Sequence, residues 1–296
     1  MFCHFTRNSA RIFLGTLLVA FCLTAGLPAE AAVRSRVEGE ALIAEKPLEP
    51  SSYEIYARFL SGNGAFKEAS EVLERGRIKA LPSANLLVAL GEAYEAQGLV
   101  GRAEAATREA LVLDDTHVMG HLQMGDLYFQ LGWPKSGLDS YRQAVALAPG
   151  DPAPMVRLVA GHLEANQLPL AEDTCLKFIS EHPEQPDLWL SLGQVFEKQE
   201  KRREAFTTYG QVLTLDPENS LAFARQGRLF CQFGQFTSAE TACRRALELD
   251  PDNKLAHAYL GIAFSYLGNN DGARKHAQIA EAAGLNMMSV WNKIGN

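Results

Sequence analysis

From Pro47 to the C-terminus, apolar residues fall at spacings of three and four, in runs about a dozen residues long with short polar breaks between them. That spacing predicts amphipathic helices, because it keeps the apolar residues on one face at 3.6 residues per turn. The runs come in pairs, and the pairs have a period. Pro149, Pro183, Pro217 and Pro251 stand 34 residues apart; the same column continues upstream through Asp115, Leu81 and Pro47, and downstream to Leu285, with no insertion. A fixed period of this size signals stacked repeats, in which each unit buries its apolar face against its neighbours. Seven two-helix units are predicted between Pro47 and Leu285.

Other columns keep the register. Ten residues after each marker stand Ala57, Gly91, Gly125, Val159, Gly193, Gly227 and Gly261. Twenty-two after it stand Ala69, Ala103, Gly137, Ala171, Ala205, Ala239 and Ala273. Small residues at both places predict a close crossing of the two helices. Thirteen after the marker come Leu60, Tyr94, Tyr128, His162, Phe196, Phe230 and Phe264, large side chains that fill the space beside that crossing. Seventeen after it come Gly64, Gly98, Gly132, Gly234 and Gly268, with Asn166 and Glu200 in the two remaining units. Glycine there allows the positive φ that ends the first helix and turns the chain. The marker proline, which lacks an N–H, stops the second helix.

These columns resemble the tetratricopeptide repeat family. Trp189, Leu192, Gly193, Phe196, Ala205, Tyr209 and Pro217 carry the resemblance most fully, followed by Leu260, Gly261, Phe264, Gly268, Ala273 and Ala280. The likeness covers about residues 48–296. The fourth unit departs most, with Val159, His162, Asn166 and Phe178 in place of the usual Gly, aromatic, Gly and Ala; wider packing, a bend or a soft joint is expected there. The resemblance implies an all-α, right-handed α-solenoid superhelix of seven helix-turn-helix repeats over residues 50–287. It also implies a non-enzymatic protein that binds other proteins or peptides without cofactor or metal.

By the same resemblance, first helices line the concave side, and groove-facing positions fall 4, 7, 11, 14 and 15 residues after the marker. The candidate partner-binding residues are Arg58, Glu92, Glu95, Asp126, Phe129, Gln130, Leu163, Gln194, Glu197, Arg225, Arg228 and Tyr266. Glu92, Glu95 and Asp126 form an acidic stretch beside Phe129. Leu221, Ala224, Leu255, Ala258, Ile262 and Tyr266 form a more apolar one near Arg225 and Arg228. A peptide held between an apolar end and an acidic end is the expected ligand. The Lys/Asn/Arg clamp with which chaperone-binding members hold a terminal carboxylate is missing, and acids stand in its place.

The two ends of the chain differ from the array. Arg7 and Arg11 precede an apolar run from Ile12 to Leu27, then Pro28 and the sequence Ala29, Glu30, Ala31. A basic start, an apolar middle of about sixteen residues and small residues at a cut site read as a secretory signal peptide over residues 1–31, with an uncleaved anchor as the alternative. Bulky Phe21 before Cys22 argues against a lipoprotein signal, and with it against the pilus-pilot type. Residues 32–49 read as a short polar lead. Residues 288–296, with Trp291 and Ile294 on the first-helix pattern, read as a half-repeat that caps the last apolar face.

Composition narrows the function. Lys+Arg number 28 against 35 Asp+Glu, a net charge of −7, so a nucleic-acid phosphate backbone is an unfavourable partner. Five cysteines, two of them inside the candidate leader, make no disulfide scaffold, and Cys175, Cys231 and Cys243 read as small buried apolar side chains. His117 and His121 stand four apart, a spacing that can seat a metal on a helix face, but no HExxH or acid completes a site. His121 and His257 share one column and His162 occupies the aromatic column, which points to packing. Exported to the cell envelope, such a chain is expected to hold partner proteins as a scaffold or assembly factor. A regulatory or substrate-presenting subunit of an envelope enzyme is the alternative.

Overall fold

A computed structural model of the chain describes residues 33–295. The candidate signal peptide lies outside the described residues. Sixteen α-helices and no strand occur among the described residues. After α1 (Arg36–Glu45) come α2 (Pro50–Gly62) with α3 (Phe66–Lys79), α4 (Ala84–Ala96) with α5 (Val100–Leu113), and α6 (Val118–Gln130) with α7 (Pro134–Leu147). Then come α8 (Pro152–Glu164), α9 (Leu168–Glu181), and the pairs α10 (Pro186–Lys198) with α11 (Arg202–Leu215), α12 (Ser220–Gln232) with α13 (Phe236–Leu249), and α14 (Lys254–Leu267) with α15 (Asn270–Ala282). The short α16 (Met288–Ile294) follows. The fold is an all-helical repeat of consecutive packed pairs. Among the described residues no helix is long and apolar enough to cross a membrane.

The chain forms two compact units, one up to Gly161 and one from His162 onward. The boundary falls inside α8, in the unit that departs most from the repeat pattern.

Within each unit the columns explain the packing. All six alanines twenty-two residues after the marker have no exposed surface. Glycines ten after it let a bulky partner in: a Cβ on Gly125 would sit 2.3 Å from the Tyr141 ring, and one on Gly193 2.3 Å from the Tyr209 ring. Turns are uniform. The five glycines seventeen after the marker have φ between 73° and 81°, and Asn166 (54°) and Glu200 (62°) adopt the same left-handed conformation. The geometry of the turn is therefore set by the packing of the two helices, and these two side chains are held in it at a cost of about 1–2 kcal/mol each.

Helix entry is equally regular. Ser83, His117, Asn219 and Asn253, each two residues after a marker, cap α4, α6, α12 and α14 by accepting a backbone N–H from three residues on. Six residues after the marker, a ring donor reaches back to the marker's own carbonyl. Tyr53 bonds Pro47 at 3.0 Å, His121 bonds Asp115 at 2.8 Å, Trp189 bonds Pro183 at 2.8 Å and His257 bonds Pro251 at 3.0 Å. Each satisfies a carbonyl freed where the preceding helix stops.

Polar as its sequence is, α1 docks on α2: Gly39 is buried so closely that a Cβ there would meet the Tyr56 ring at 2.1 Å. At the other end, Met287 and Val290 are buried, and the Trp291 indole donates to Glu281 Oε1 at 2.6 Å.

Candidate functional site

Apolar contacts alone suffice to stack helices, so polar side chains that meet between successive first helices call for a separate account. They form one network in each unit.

In the first unit, α4 and α6 present Glu92, Glu95, Asp126 and Gln130. The Gln130 amide donates to Glu95. Asp126 Oδ1 accepts from the Tyr141 hydroxyl at 2.5 Å and from Arg157 Nη1, on α8, at 3.2 Å. Its side chain is only 11% exposed. Burial pushes the Asp126 carboxyl above its ordinary range, although Arg157 and the Tyr141 hydroxyl pull it down. Burial raises Glu92 as well, against the opposing pull of Arg58. Glu95 is pushed up to about 7, first by burial, then by the nearby charges of Asp126 and Glu92, with the Gln130 bond and Arg157 opposing. Arg58 is exposed. Phe129 serves packing: its ring stacks on Tyr141 at 5.7 Å and covers Gly137. The acidic stretch is thus partly neutralised from within. Of six candidates here, Glu95, Asp126 and Gln130 join one polar cluster, Arg58 and Glu92 border it, and Phe129 supports it.

In the second unit, Glu197 on α10 is held by α12. Its Oε2 accepts from Arg225 Nη1 and Arg228 Nη1, each at 2.9 Å, and its side chain is 6% exposed. Among the described residues, Glu197 Oε1, Arg225 Nε and the Tyr209 hydroxyl are buried without a hydrogen-bond partner. Burial drives the Tyr209 hydroxyl far above its ordinary range, with Arg225 opposing and Glu197 adding to it. A pocket of about 130 Å³ opens beside this cluster, lined by Glu197, Glu200, Arg202, Arg228, Leu229 and Gln232. Leu163 and Gln194 are half-buried and stand outside the cluster. Tyr266 is exposed and stacks on Phe236 at 4.1 Å.

Two family models for the tetratricopeptide repeat match the chain, one over residues 120–151 and the other over 190–254 and 224–286. Over those stretches the chain matches the tetratricopeptide repeat. No curated protein matches it in sequence. Several solved structures share its fold. Yeast Tom70 superposes with a TM-score of 0.70 at 16% identity, over 87% of this chain and 56% of that one. The APC/C hetero-tetramer Cut9–Hcn1 gives 0.59 at 15% identity, over 87% and 51%. PilW, a type IV pilus biogenesis factor, gives 0.55 at 18% identity, over 67% and 92%. The chain spans about half the length of the Tom70 and Cut9–Hcn1 chains it matches.

His117, His162, His257 and His276 are engaged in structure. His117 Nδ1 caps α6 and its Nε2 meets Asn85 Oδ1 at 2.7 Å; His162 is buried, with Nδ1 2.8 Å from Gln167 Oε1. His257 and His276 face each other, Nδ1 to Nδ1, at 2.8 Å, and burial together with His257 lowers His276 to about 4. Among the described residues no group of three or more His, Cys, Asp or Glu side chains is arranged to hold a metal. Cys175, Cys231 and Cys243 are free thiols; burial pushes Cys175 and Cys231 up to about 12 and raises Cys243 further.

Three partners of the networks were not among the candidate binding residues: Arg157, Tyr141 and Tyr209. Arg157 had a signal, since it stands eight residues after its marker in register with Arg225. Tyr141 and Tyr209 also share a position, twenty-six after the marker, opposite the crossing glycine.

Proposed function

We propose that this chain is an exported, non-catalytic protein-binding scaffold or assembly factor of the cell envelope, whose first-helix faces hold segments of partner proteins. One observation carries the reading: Asp126 on α6 pairs with Arg157 on α8, Glu197 on α10 pairs with Arg225 and Arg228 on α12, and the half-buried Glu95 of α4 takes the Gln130 amide, all at positions where stacking itself needs no polar group. Burying charge costs free energy that pairing only partly offsets, and some proteins keep such groups for register or specificity; tetratricopeptide repeats generally mediate protein–protein interaction. The likeness to PilW, named as a pilus biogenesis factor, supports an assembly role. The basic, apolar and small-residue order of residues 1–31 supports export.

The test pairs fractionation with crosslinking. A C-terminally tagged chain is expected in the envelope fraction with its N-terminus near Ala32, crosslinked to a discrete partner. Glu92→Gln with Glu95→Gln should weaken that crosslink. A chain retained in the cytosol with Met1 intact overturns export. Crosslinks indifferent to both substitutions overturn the role of the acidic face.

A further inference from the structure

We propose that His257 and His276 form an acid-sensitive latch between α14 and α15: with both rings neutral the latch holds the last hairpin shut, and uptake of one proton releases α15 together with the α16 cap.

The bonding pattern fixes where the hydrogens sit. His257 Nε2 lies 3.0 Å from the Pro251 carbonyl, which can only accept, so Nε2 carries the hydrogen. A neutral His257 then has a bare Nδ1, and the hydrogen between the two rings comes from His276 Nδ1. With Nδ1 atoms 2.8 Å apart, ring centroids 5.0 Å apart and planes 28° from parallel, the rings meet nitrogen to nitrogen instead of face to face. There is room for one hydrogen between them. A proton arriving on the pair has two places to go. On His257 Nδ1 it sets N–H against N–H across that gap; on His276 Nε2 it makes a cation at a helix crossing.

The crossing is a poor place for a cation. His276 is half-buried, with its Cβ 3.6 Å from where a Cβ on Gly261 would stand and its ring 5.7 Å from that of Phe264. The charges that bear on it are positive: Lys275 on its own helix, and Arg244 on α13, which lies 5.3 Å from the Phe264 ring centroid and pairs with Glu240. On the other packed helices, Arg225 and Arg228 of α12 are tied to Glu197, and Lys293 of α16 lies over Tyr266. In the turn beside Pro251, Asp250 is tied to the Asp252 N–H. Burial first, then His257, Lys275 and Arg244, hold His276 down to about 4 against an ordinary 6.5. Released into water, the ring regains its ordinary affinity for a proton. The open hairpin therefore takes a proton that the closed one refuses, and each unit of pH from 6.5 down to 4 raises the open population about tenfold.

The repeat does not demand this pair. At the position of His276, twenty-five after the marker, the other units place Val72, Ala106, Ser140, Thr174, Thr208 and Ala242. His121 makes the same bond to its marker as His257 does, yet Ser140 stands where a partner histidine would. The pair belongs to the last full hairpin, which among the described residues has only the seven-residue α16 stacked beyond it. Repeats at the end of a stack have one neighbour to hold them and open most readily. Trp291 of α16 is bonded to Glu281 of α15, so the two helices leave together. Opening bares Phe264 and the face of α14 around Gly261.

The experiment reads amide hydrogen exchange of the full chain at pH 7 and pH 5 as protection factors, each rate divided by that of the unstructured amide at the same pH. Protection in α15 and α16 should fall about twentyfold between the two, while α10 and α11 keep theirs. His276→Thr, which installs the side chain of the fourth and fifth units, should remove the pH dependence. NMR titration of the His276 ring in the unsubstituted chain should give a midpoint well below 6.5. Equal protection at the two pH values, a ring midpoint near 6.5, or a loss that persists in His276→Thr overturns the latch. If His276→Thr opens the hairpin already at pH 7, the ring midpoint and the exchange of the unsubstituted chain decide: both must respond to acid as stated, and a failure of either overturns it.

Discussion

The indole N–H of Trp189 donates to the carbonyl of Pro183, six residues upstream, at 2.8 Å. Tyr53, His121 and His257 make the same bond to their own markers. Three chemically different kinds of ring, indole, phenol and imidazole, serve because the position asks for reach and one donor, and for nothing else. Trp189→Phe keeps the bulk and removes the donor. It should cost about 1 kcal/mol, read as a fall of about 2–4 °C in Tm. An unchanged melting curve would mean that water satisfies the Pro183 carbonyl equally well.

Glu200 has φ of 62° where five of the seven units place glycine. Glu200→Gly relieves the left-handed strain while adding freedom to the unfolded chain, so a net gain of about 0.5–1 kcal/mol is expected in denaturant unfolding. Gly98→Ala should lose about as much. A destabilised Glu200→Gly chain would contradict the strain.

Glu95 ties stability to pH. Its carboxyl is raised to about 7 in the folded chain, against an ordinary value of 4.5. The folded state therefore holds the proton more tightly than the unfolded state. The contribution is fully present below about pH 4.5, fades as pH rises through 7, and is gone above it. Asp126 and Glu92, also raised, act with the same sign. Glu95→Gln should flatten this decline between pH 5 and 7 and raise stability at pH 8 by about 1–3 kcal/mol. A variant with the original pH profile would remove Glu95 as its source.

In α8, Val159 replaces the crossing glycine and His162 the aromatic ring, and the boundary between the compact units falls between Gly161 and His162. Amide hydrogen exchange in α8 should be about tenfold faster than in α6 or α10, which is about 1.4 kcal/mol less local stability. Protection equal to theirs would show the joint to be as firm as the rest.

The helix pairs were legible because a 34-residue period superimposes seven weak patterns into one strong one. The networks were less so. Asp126 and Glu197 lay on candidate columns, but Arg157 is 31 residues from Asp126, and only the crossing of α6 and α8 decides that they meet. Rotamers decide that Phe129 turns inward onto Tyr141 while Tyr266 stays in solvent. Glu200 shows the reverse case, a backbone that its residue type does not announce. It is an exception in the glycine column, yet its backbone follows its neighbours because helix packing outweighs a penalty of about 1–2 kcal/mol.

Gly227 leaves a hollow at its helix crossing that Cys243 fills: a Cβ there would lie 2.4 Å from the sulfur. That sulfur is locked in place as filling, as is the equally enclosed Cys175. Neither can swing out to meet an oxidant or another thiol without the stack first coming apart, so these two thiols keep the same covalent form in a reducing cytosol and in an oxidising space beyond it.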